Sequence, residues 1–417
     1  MTDSQTRIAV LGGARTPFAK AGTALAEHKA LDLAVHSVDG LVAKQGIEPG
    51  IVDELVYGIV TLDPRVPQLA REINFGSVLP DDVRSYTITD NCITGITALS
   101  NVADSIRSGR ASVGIAGGVE SLSNPAIMVS RNASRILYDL SRARTTRERV
   151  KLLRRLRPRD LKPRAPGVTE PSTGLSMGEH TEITVKEWAI SRIEQDEIAF
   201  NSHMNGAAAT ADGRLVAEIH PLDGLDHDPI VRPGTTMEKL AGLQPVFDRS
   251  AEGTLTAGNS SPLTDGAAAV LVASESAAAR HGLEPLAFVK DVEFVAISPD
   301  DGLLMGPGIA VPRLLSRHGL TLDDLDLIDM HEAFAGQIAA NIAAWERGWK
   351  EPPIGKVDRE RLNVAGGSIA IGHPFAATGA RIVTQAANEM ARRDAKLALV
   401  SVCGAGATAA AVLLERD

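Results

Sequence analysis

The chain is poor in cysteine and in aromatic residues. Its 417 residues include two cysteines, and phenylalanine, tryptophan and tyrosine together make up 3% of the total. Two cysteines cannot build a disulfide framework, which favours a reducing compartment. The sequence also has no apolar run of about 18 residues, and its opening, MTDSQTRIAVLGGARTPF, shows neither an apolar nor an arginine-rich leader. We therefore expect a cytoplasmic protein that does not span a membrane.

Short apolar segments alternate with amphipathic ones through the first 120 residues. This alternation predicts an α/β fold with a mostly parallel sheet. The predicted strands are residues 7–11, 54–60, 84–89, 112–117 and 265–274, and the predicted helices are residues 30–45, 66–75 and 93–107. Between the fourth and the fifth strand the alternation stops, which indicates an inserted loop domain with helices near 134–156 and 190–211.

The C-terminal part of the chain repeats the pattern of the N-terminal part. Residues 363–406 correspond to residues 89–120: in both, a polar turn opens a helix that ends in basic residues, and an apolar strand then leads into a glycine turn. A duplication of this kind predicts two related α/β halves with a site between them. The expected division is 1–120 plus 256–280 for the first half, 121–255 for the loop domain and 281–417 for the second half.

One cysteine lies where the first repeat opens, in the stretch TITDNCITGITALSNVADSIRSGR. Cys92 comes at the predicted start of the helix 93–107, with Asp90 and Asn91 as candidate caps. Free backbone N–H groups and the positive end of the helix dipole favour a thiolate at such a position. This alone leaves a nucleophile and a buried structural cysteine about equally favoured.

Three further turns carry side chains suited to catalysis. His373 stands in a Gly-His-Pro turn before a helix, Cys403 follows a strand in a glycine-rich loop, and His331 and Glu332 lie between a strand and a helix. Each alone is as consistent with a structural role. Together they supply a nucleophile, a base, an oxyanion pocket and a second acid/base.

Eight segments, in order and with matching spacing, resemble the thiolase family. They are GGARTPF, NCITG, GGVESLS, SMGEHTE, TAGNSSPLTDGAAA, MHEAFAGQ, GGSIAIGHPFAATGAR and CGAG. The resemblance implies a five-layer α-β-α-β-α core of two duplicated halves, an inserted loop domain that binds coenzyme A, and a homodimer or homotetramer. The implied activity is that of a 3-ketoacyl-CoA thiolase of fatty-acid β-oxidation, an acyltransferase with coenzyme A as a substrate and no permanently bound cofactor.

The resemblance also implies the catalytic roles. Cys92 carries the acyl group, and His373 takes its proton and forms one oxyanion hole with the Cys403 region. Cys403 acts as acid and base at the α-carbon of acetyl-CoA, and a second oxyanion hole belongs to the loop of His331. Many thiolases have asparagine at this last position. Histidine here resembles the β-subunits of the fatty-acid-oxidation trifunctional enzymes, which pair with a hydratase/dehydrogenase α-subunit.

The same comparison implies the coenzyme A contacts. Ser261 and Met177 match family positions, while Met305 and Phe334 are expected to line the pantetheine and acyl path. The family's usual glycine after this serine is Pro262 here. A metal site is not expected, since HPLDGLDHD (220–228) has neither a cysteine nor a helical histidine pair.

A basic segment interrupts an otherwise acidic chain. Residues 131–164 hold 13 lysine and arginine residues against three acidic ones, which gives a local charge of +10. The net charge of the chain is −9, so the remaining residues together carry about −19. The segment is either a solvated helix pair or an amphipathic surface for an anionic membrane, an acidic α-subunit or the phosphates of coenzyme A. The acidic remainder argues against nucleic acid.

Two other functions remain open from the sequence. An acetyl-CoA acetyltransferase that makes acetoacetyl-CoA would use the same residues. A catalytically inactive thiolase-like protein that binds coenzyme A or lipid is disfavoured by the presence of Cys92, His373 and Cys403 together.

Overall fold

The computed structural model describes residues 6–163, 167 and 169–417. Arg164, the last residue of the basic segment, and the first five residues of the opening stretch lie outside the described part. The strands are β1 Ile8–Arg15, β2 Ala19–Lys20, β3 Glu54–Gly58, β4 Arg84–Ile88, β5 Val113–Glu120, β6 Thr264–Ser274, β7 Ala287–Ala296, β8 Leu327–Met330, β9 Leu397–Gly404 and β10 Thr408–Glu415.

Thirteen α-helices are present in the described residues. They are α1 Ala30–Gln45, α2 Leu69–Gly76, α3 Thr94–Arg107, α4 Arg131–Arg142, α5 Thr146–Leu153, α6 Met177–Glu187, α7 Arg192–Ala211, α8 Met237–Ala241, α9 Glu275–Arg280, α10 Pro307–Arg317, α11 Ala335–Arg347, α12 Ser368–Ile371 and α13 Thr378–Arg393. No helix in the described ranges is both long and apolar enough to cross a membrane.

The strand order reflects the predicted duplication. The sheet runs β4-β3-β5-β6-β1-β7-β10-β9-β8, with β2 attached to β6. Counted outward from the centre, β1, β6, β5 and β3 of the first half correspond to β7, β10, β9 and β8 of the second. Strands β1 and β7 join the halves by a three-residue antiparallel pairing centred on Ala9 and Phe288.

The expectation of a mostly parallel sheet was wrong. Among the described strands, only the β3–β4, β3–β5 and β8–β9 pairs are parallel, and the others are antiparallel. The reason lies in the connections. Strand β6 returns antiparallel to β5 after the long excursion that contains α4–α8, and β9 turns directly into β10.

Alternating side chains divide each half-sheet between two cores. In β6, Val270 and Val272 face a central cluster, whereas Leu271 belongs to the outer cluster with α1 and α2. In β10, Val412 faces the same central cluster and Leu413 the outer cluster with α10 and α11. Since α3 and α13 fill the central cluster, the layers are helix, sheet, paired helices, sheet and helix.

A buried ion pair fixes the excursion to the first strand. The guanidinium of Arg15 donates to both carboxylate oxygens of Asp228, at 2.7 and 2.8 Å, and the backbone N–H of Phe18 donates to the same carboxylate at 2.8 Å. Asp228 is the last residue of the HPLDGLDHD run and is therefore occupied by this pair. The boundaries 121–255 of the loop domain stay a prediction.

The close contact of α3 and α13 gives a testable prediction. In Gly95→Ala, the new Cβ would lie 2.6 Å from the backbone nitrogen of Ala380 and 3.0 Å from the carbonyl oxygen of Ala376. Replacing a helical glycine by alanine raises the free energy of unfolding by about 1 kcal/mol. We expect the clash to outweigh this gain and to leave a net loss of about 1–3 kcal/mol in the free energy of unfolding. Urea unfolding measures the change.

Gly50→Ala is the matched control, because no atom lies within 4 Å of the added Cβ. Equal stability of the two variants would show that the two helices tolerate separation.

Candidate active site

Cys92 lies in a single 3-10 turn, Asn91–Ile93, that leads directly into α3. Asn91 adopts a left-handed backbone conformation, with φ at +48°. Its side-chain amide donates to the carbonyl of Ala405, at 2.9 Å, in the loop between β9 and β10. The turn and the loop of the second half are thereby held together around the sulfur.

The predicted helix caps were wrong. Neither Asp90 nor Asn91 accepts a hydrogen bond from a helix N–H group through its side chain. The Asp90 carboxylate instead accepts from the hydroxyl of Thr97 at 2.7 Å, and the Asn91 amide is taken by the Ala405 carbonyl.

His373 lies against Cys92, although 281 residues separate them in the chain. Its Nε2 is 3.2 Å from the Cys92 sulfur, and its Nδ1 is 2.7 Å from the hydroxyl of Thr378. The Thr378 hydroxyl donates its single proton to the carbonyl of Pro374 at 3.4 Å. The hydrogen bonds therefore assign the proton of His373 to Nδ1, so that Nε2 is the acceptor for the thiol.

The pair is neutral at rest. The surrounding protein raises the pKa of Cys92 to about 12, helped by the charge of Glu120, while burial and Arg381 lower the pKa of His373 to about 3. The thiolate expected from the helix start is thus not the resting form, because desolvation outweighs the helix dipole. As a residue, Cys92 is intermediate in exposure, whereas Cys403 is buried.

The backbone N–H groups of Ala405 and of Cys92 itself favour the thiolate form of Cys92, because both lower the pKa of its thiol against the effect of burial.

Cys403 lies at the end of β9, next to this loop, and is 1% exposed. Burial raises the pKa of its thiol well above the ordinary value, and the proximity of Cys92 adds to the shift. Cys403 is therefore a protonated thiol at rest, able to act as an acid before it acts as a base.

His331 directly follows β8 and completes the cluster. Its backbone N–H donates to the Ser401 carbonyl at 2.8 Å, and its ring lies 4.0 Å from the ring of His373 between centroids. Nδ1 is 2.8 Å from the hydroxyl of Ser368, while Nε2 is buried and has no partner among the described residues. Burial, His373 and Arg381 hold the pKa of His331 well below the ordinary value, so the ring is uncharged.

The Cys92 sulfur and one ring nitrogen of each histidine lie within 4.8 Å of one another. A cysteine with two neutral histidines is a donor set that zinc accepts. The same three groups are also what acyl transfer through a cysteine requires, and the prediction that this site works without a metal stays a prediction.

The predicted coenzyme A residues lie in one region, but they differ in exposure. Ser261 donates its backbone N–H to the Ala333 carbonyl at 3.0 Å, and Phe334 stacks edge-on against Phe247, with ring centroids 5.6 Å apart. Met177 is partly buried at the start of α6. Met305 is 1% exposed within the outer core of the second half, as Cys403 is, and its place on the pantetheine and acyl path stays a prediction.

Two residues of the site, Glu120 and Ser202, escaped the sequence interpretation. Glu120 lies in the quoted GGVESLS motif, and burial raises its pKa to about 7. Ser202 donates a hydrogen bond at 2.6 Å to the carboxylate of Glu332, which also accepts from Asn363 at 2.5 Å. The GGVESLS motif was the available signal for Glu120, whereas nothing in the sequence singles out Ser202.

The family described as "Thiolase, N-terminal domain" matches residues 8–276, and "Thiolase, C-terminal domain" matches residues 283–416. A protein of Yersinia enterocolitica named 3-ketoacyl-CoA thiolase is 46% identical, over 98% of this chain and 97% of its own. One of the same name from Colwellia psychrerythraea is 42% identical, over 100% and 98%.

Solved structures agree with these relatives. An acetyl-CoA acetyltransferase of Bacillus anthracis superposes with a TM-score of 0.85 at 30% identity, covering 98% of both chains. Human mitochondrial 3-ketoacyl-CoA thiolase in complex with CoA gives a TM-score of 0.84 at 29% identity, covering 99% of this chain and 98% of its own. With its fold, its two-domain match and its full-length relatives in agreement, the chain belongs to the thiolase family.

Proposed function

We propose that this chain is a 3-ketoacyl-CoA thiolase, which cleaves 3-ketoacyl-CoA with coenzyme A into acetyl-CoA and a shortened acyl-CoA, as in fatty-acid β-oxidation. The observation that carries the proposal is the 3.2 Å contact between the Cys92 sulfur and Nε2 of His373. The bacterial relatives of that name, at 42–46% identity over nearly the full length, support the same activity.

In the first half-reaction, His373 Nε2 takes the thiol proton of Cys92 as the sulfur attacks the 3-keto carbon. The C2–C3 bond then breaks, and its electron pair leaves as the enolate of acetyl-CoA. Cys403, a protonated thiol at rest, donates its proton to C2. The products are acetyl-CoA, an acyl group on Cys92, a Cys403 thiolate and a protonated His373.

In the second half-reaction, the Cys403 thiolate takes the proton of an incoming coenzyme A thiol. The coenzyme A sulfur attacks the acyl group, and the departing Cys92 sulfur recovers its proton from His373. Both protons are thereby returned, and the site is restored without a redox change. We therefore propose that coenzyme A is a substrate and that the reaction uses no resident cofactor or metal.

The structure supports a grouping of the oxyanion donors that differs from the sequence expectation. The N–H groups of Cys92 and Ala405 stabilise negative charge on the sulfur, so they suit the tetrahedral intermediate of acyl transfer at that sulfur. The ring of His373 lies 4.0 Å from the ring of His331 between centroids. We assign the enolate oxygen of acetyl-CoA to the side of the site where His331 lies.

The proposal extends to partners and location, which rest on the family resemblance. We propose a homodimer or homotetramer in the cytoplasm, where two free cysteines stay reduced, together with a hydratase/dehydrogenase α-subunit. Helices α4 and α5 of the basic segment contact each other and expose apolar residues between arginines, namely Leu137, Tyr138, Val150 and Leu153. Such a surface suits an anionic membrane face or an acidic subunit.

Substrate length separates the proposed function from acetyl-CoA acetyltransferase activity. We expect faster thiolysis of 3-ketohexadecanoyl-CoA than of acetoacetyl-CoA, measured with free coenzyme A. Cys92→Ala should lower kcat roughly 10⁴- to 10⁶-fold on both, as removal of a covalent nucleophile does. Preference for acetoacetyl-CoA would favour the acetyltransferase, and no activity on either would favour an inactive binding protein.

The two cysteines should fail in different half-reactions. Cys403→Ala should abolish hydrogen–deuterium exchange at C2 of acetyl-CoA, because no acid/base remains there. In Cys403→Ala, exchange of the acetyl group between acetyl-CoA and isotopically labelled coenzyme A should still be detectable, because Cys92 and His373 carry out that step. Cys92→Ala should abolish the acetyl exchange. Loss of acetyl exchange but retention of deuterium exchange in Cys403→Ala would reverse the assigned roles.

The neutral resting pair predicts the pH dependence of acylation. His373 must be unprotonated to act as a base, and its lowered pKa means that this form is lost only as the pH falls towards about 3. The Cys92 thiol, with a pKa of about 12, ionises only as the pH rises towards that value. Glu120, whose charge acts on Cys92, has a pKa of about 7 and titrates in this range, so the measurement uses Glu120→Gln. In this variant we expect kcat/KM for acylation, and the rate of alkylation of Cys92 by iodoacetamide, to show no step between about pH 5 and about pH 9. A step near neutral pH in the same variant would indicate a thiolate–imidazolium pair instead.

A further inference from the structure

A buried polar chain leads from α13 to the active site. Nη2 of Arg381 donates to the hydroxyl oxygen of Ser368 at 3.0 Å, and that oxygen lies 2.8 Å from Nδ1 of His331. The three side chains are buried, with Arg381 and His331 each 1% exposed and Ser368 fully enclosed. The sequence interpretation assigned no role to Arg381 or to Ser368.

The protons of this chain can be placed from the chemistry of its members. A guanidinium only donates, so the Ser368 oxygen is an acceptor towards Arg381. The one hydroxyl proton of Ser368 has no acceptor other than Nδ1 of His331 among the hydrogen bonds of the described residues. Nδ1 is then an acceptor, and the proton of the neutral ring resides on Nε2.

We propose that Ser368, held by Arg381, is a positioning residue that fixes His331 in the tautomer whose Nε2–H donates a hydrogen bond to the enolate oxygen of the departing acetyl-CoA. The inference rests on the proposed thiolase function and deepens it. It accounts for a buried Nε2 that has no hydrogen-bond partner in the described structure.

A histidine at this position needs a neighbouring residue that fixes its tautomer, whereas an asparagine does not. Asparagine, which many thiolases carry at this position, presents an N–H donor that does not depend on any proton assignment. A neutral imidazole presents either an N–H or a lone pair, and the lone pair would repel a developing oxyanion. Control of the tautomer therefore decides whether His331 stabilises the enolate.

The first test compares two serine-to-alanine variants. Ser368→Ala removes the hydroxyl that fixes the tautomer. Ser401→Ala is the matched control, because Ser401 is also buried, lies on the adjacent strand β9 and has a hydroxyl without a partner in the described residues. Its backbone carbonyl, which accepts the N–H of His331, is retained in the variant.

We expect Ser368→Ala to lower deuterium exchange at C2 of acetyl-CoA and kcat of thiolysis by about 10- to 100-fold, the usual cost of losing a group that orients a functional histidine. Acetyl exchange with labelled coenzyme A should remain near the wild-type rate, because the Cys92 and Ala405 N–H groups serve that step. Ser401→Ala should match the wild type in all three assays.

A double-mutant cycle with His331→Asn adds a readout that a purely structural role would not give. Asparagine has no tautomer to fix, so Ser368→Ala should cause no further loss of deuterium exchange in that background. A further loss there would overturn the proposal, as would equal losses in both exchange assays or equal damage by Ser401→Ala. Failure of the proposed function itself would look different, because the wild type would then show no acetyl exchange.

Discussion

The approach of two glycines, Gly95 of α3 and Gly379 of α13, is the constraint on which the active site depends. A Cβ on Gly95 would lie 3.0 Å from the Cα of Gly379. Both helices occupy the central layer, and each begins with the turn that carries a reactive side chain, Cys92 in one half and His373 in the other. A wider crossing would separate the sulfur from its base, since a hydrogen bond of 3.2 Å tolerates little displacement.

Duplication explains why the site lies between the halves. Each half supplies one helix start, and the loop after β8 and the end of β9 add His331 and Cys403 from the second half. The enclosure that results removes water from the reacting groups. It keeps both thiols protonated and both histidines neutral at rest, so charge develops only when substrate is bound and donors are already in place.

Much of the site could be predicted from the sequence, because its residues lie in turns that a repeated strand–helix pattern locates. The duplication also predicted that the Cys92 and His373 turns would meet. The strand directions could not be predicted, since they depend on where β6 re-enters the sheet after the excursion. The predicted caps failed because the Asp90 carboxylate accepts from the Thr97 hydroxyl and the Asn91 amide donates to the distant Ala405 carbonyl.

The protonation states and the polar chain of Arg381, Ser368 and His331 also lie beyond sequence reasoning. Helix-start placement favours a thiolate at Cys92, and only the packing shows that desolvation outweighs it. Likewise, Ser368 and Arg381 become visible only when α12 and α13 fold next to the loop of His331.

In the proposed reaction, acyl transfer passes through Cys92, and the acyl-enzyme can be trapped. Wild-type protein mixed with a 3-ketoacyl-CoA in the absence of coenzyme A, then quenched in acid, can be digested and examined by mass spectrometry. We expect the mass of the shortened acyl group on the peptide that contains Cys92, and no adduct in Cys92→Ala. Cleavage of the substrate with the acyl group on another residue, or continued turnover by Cys92→Ala, would contradict it.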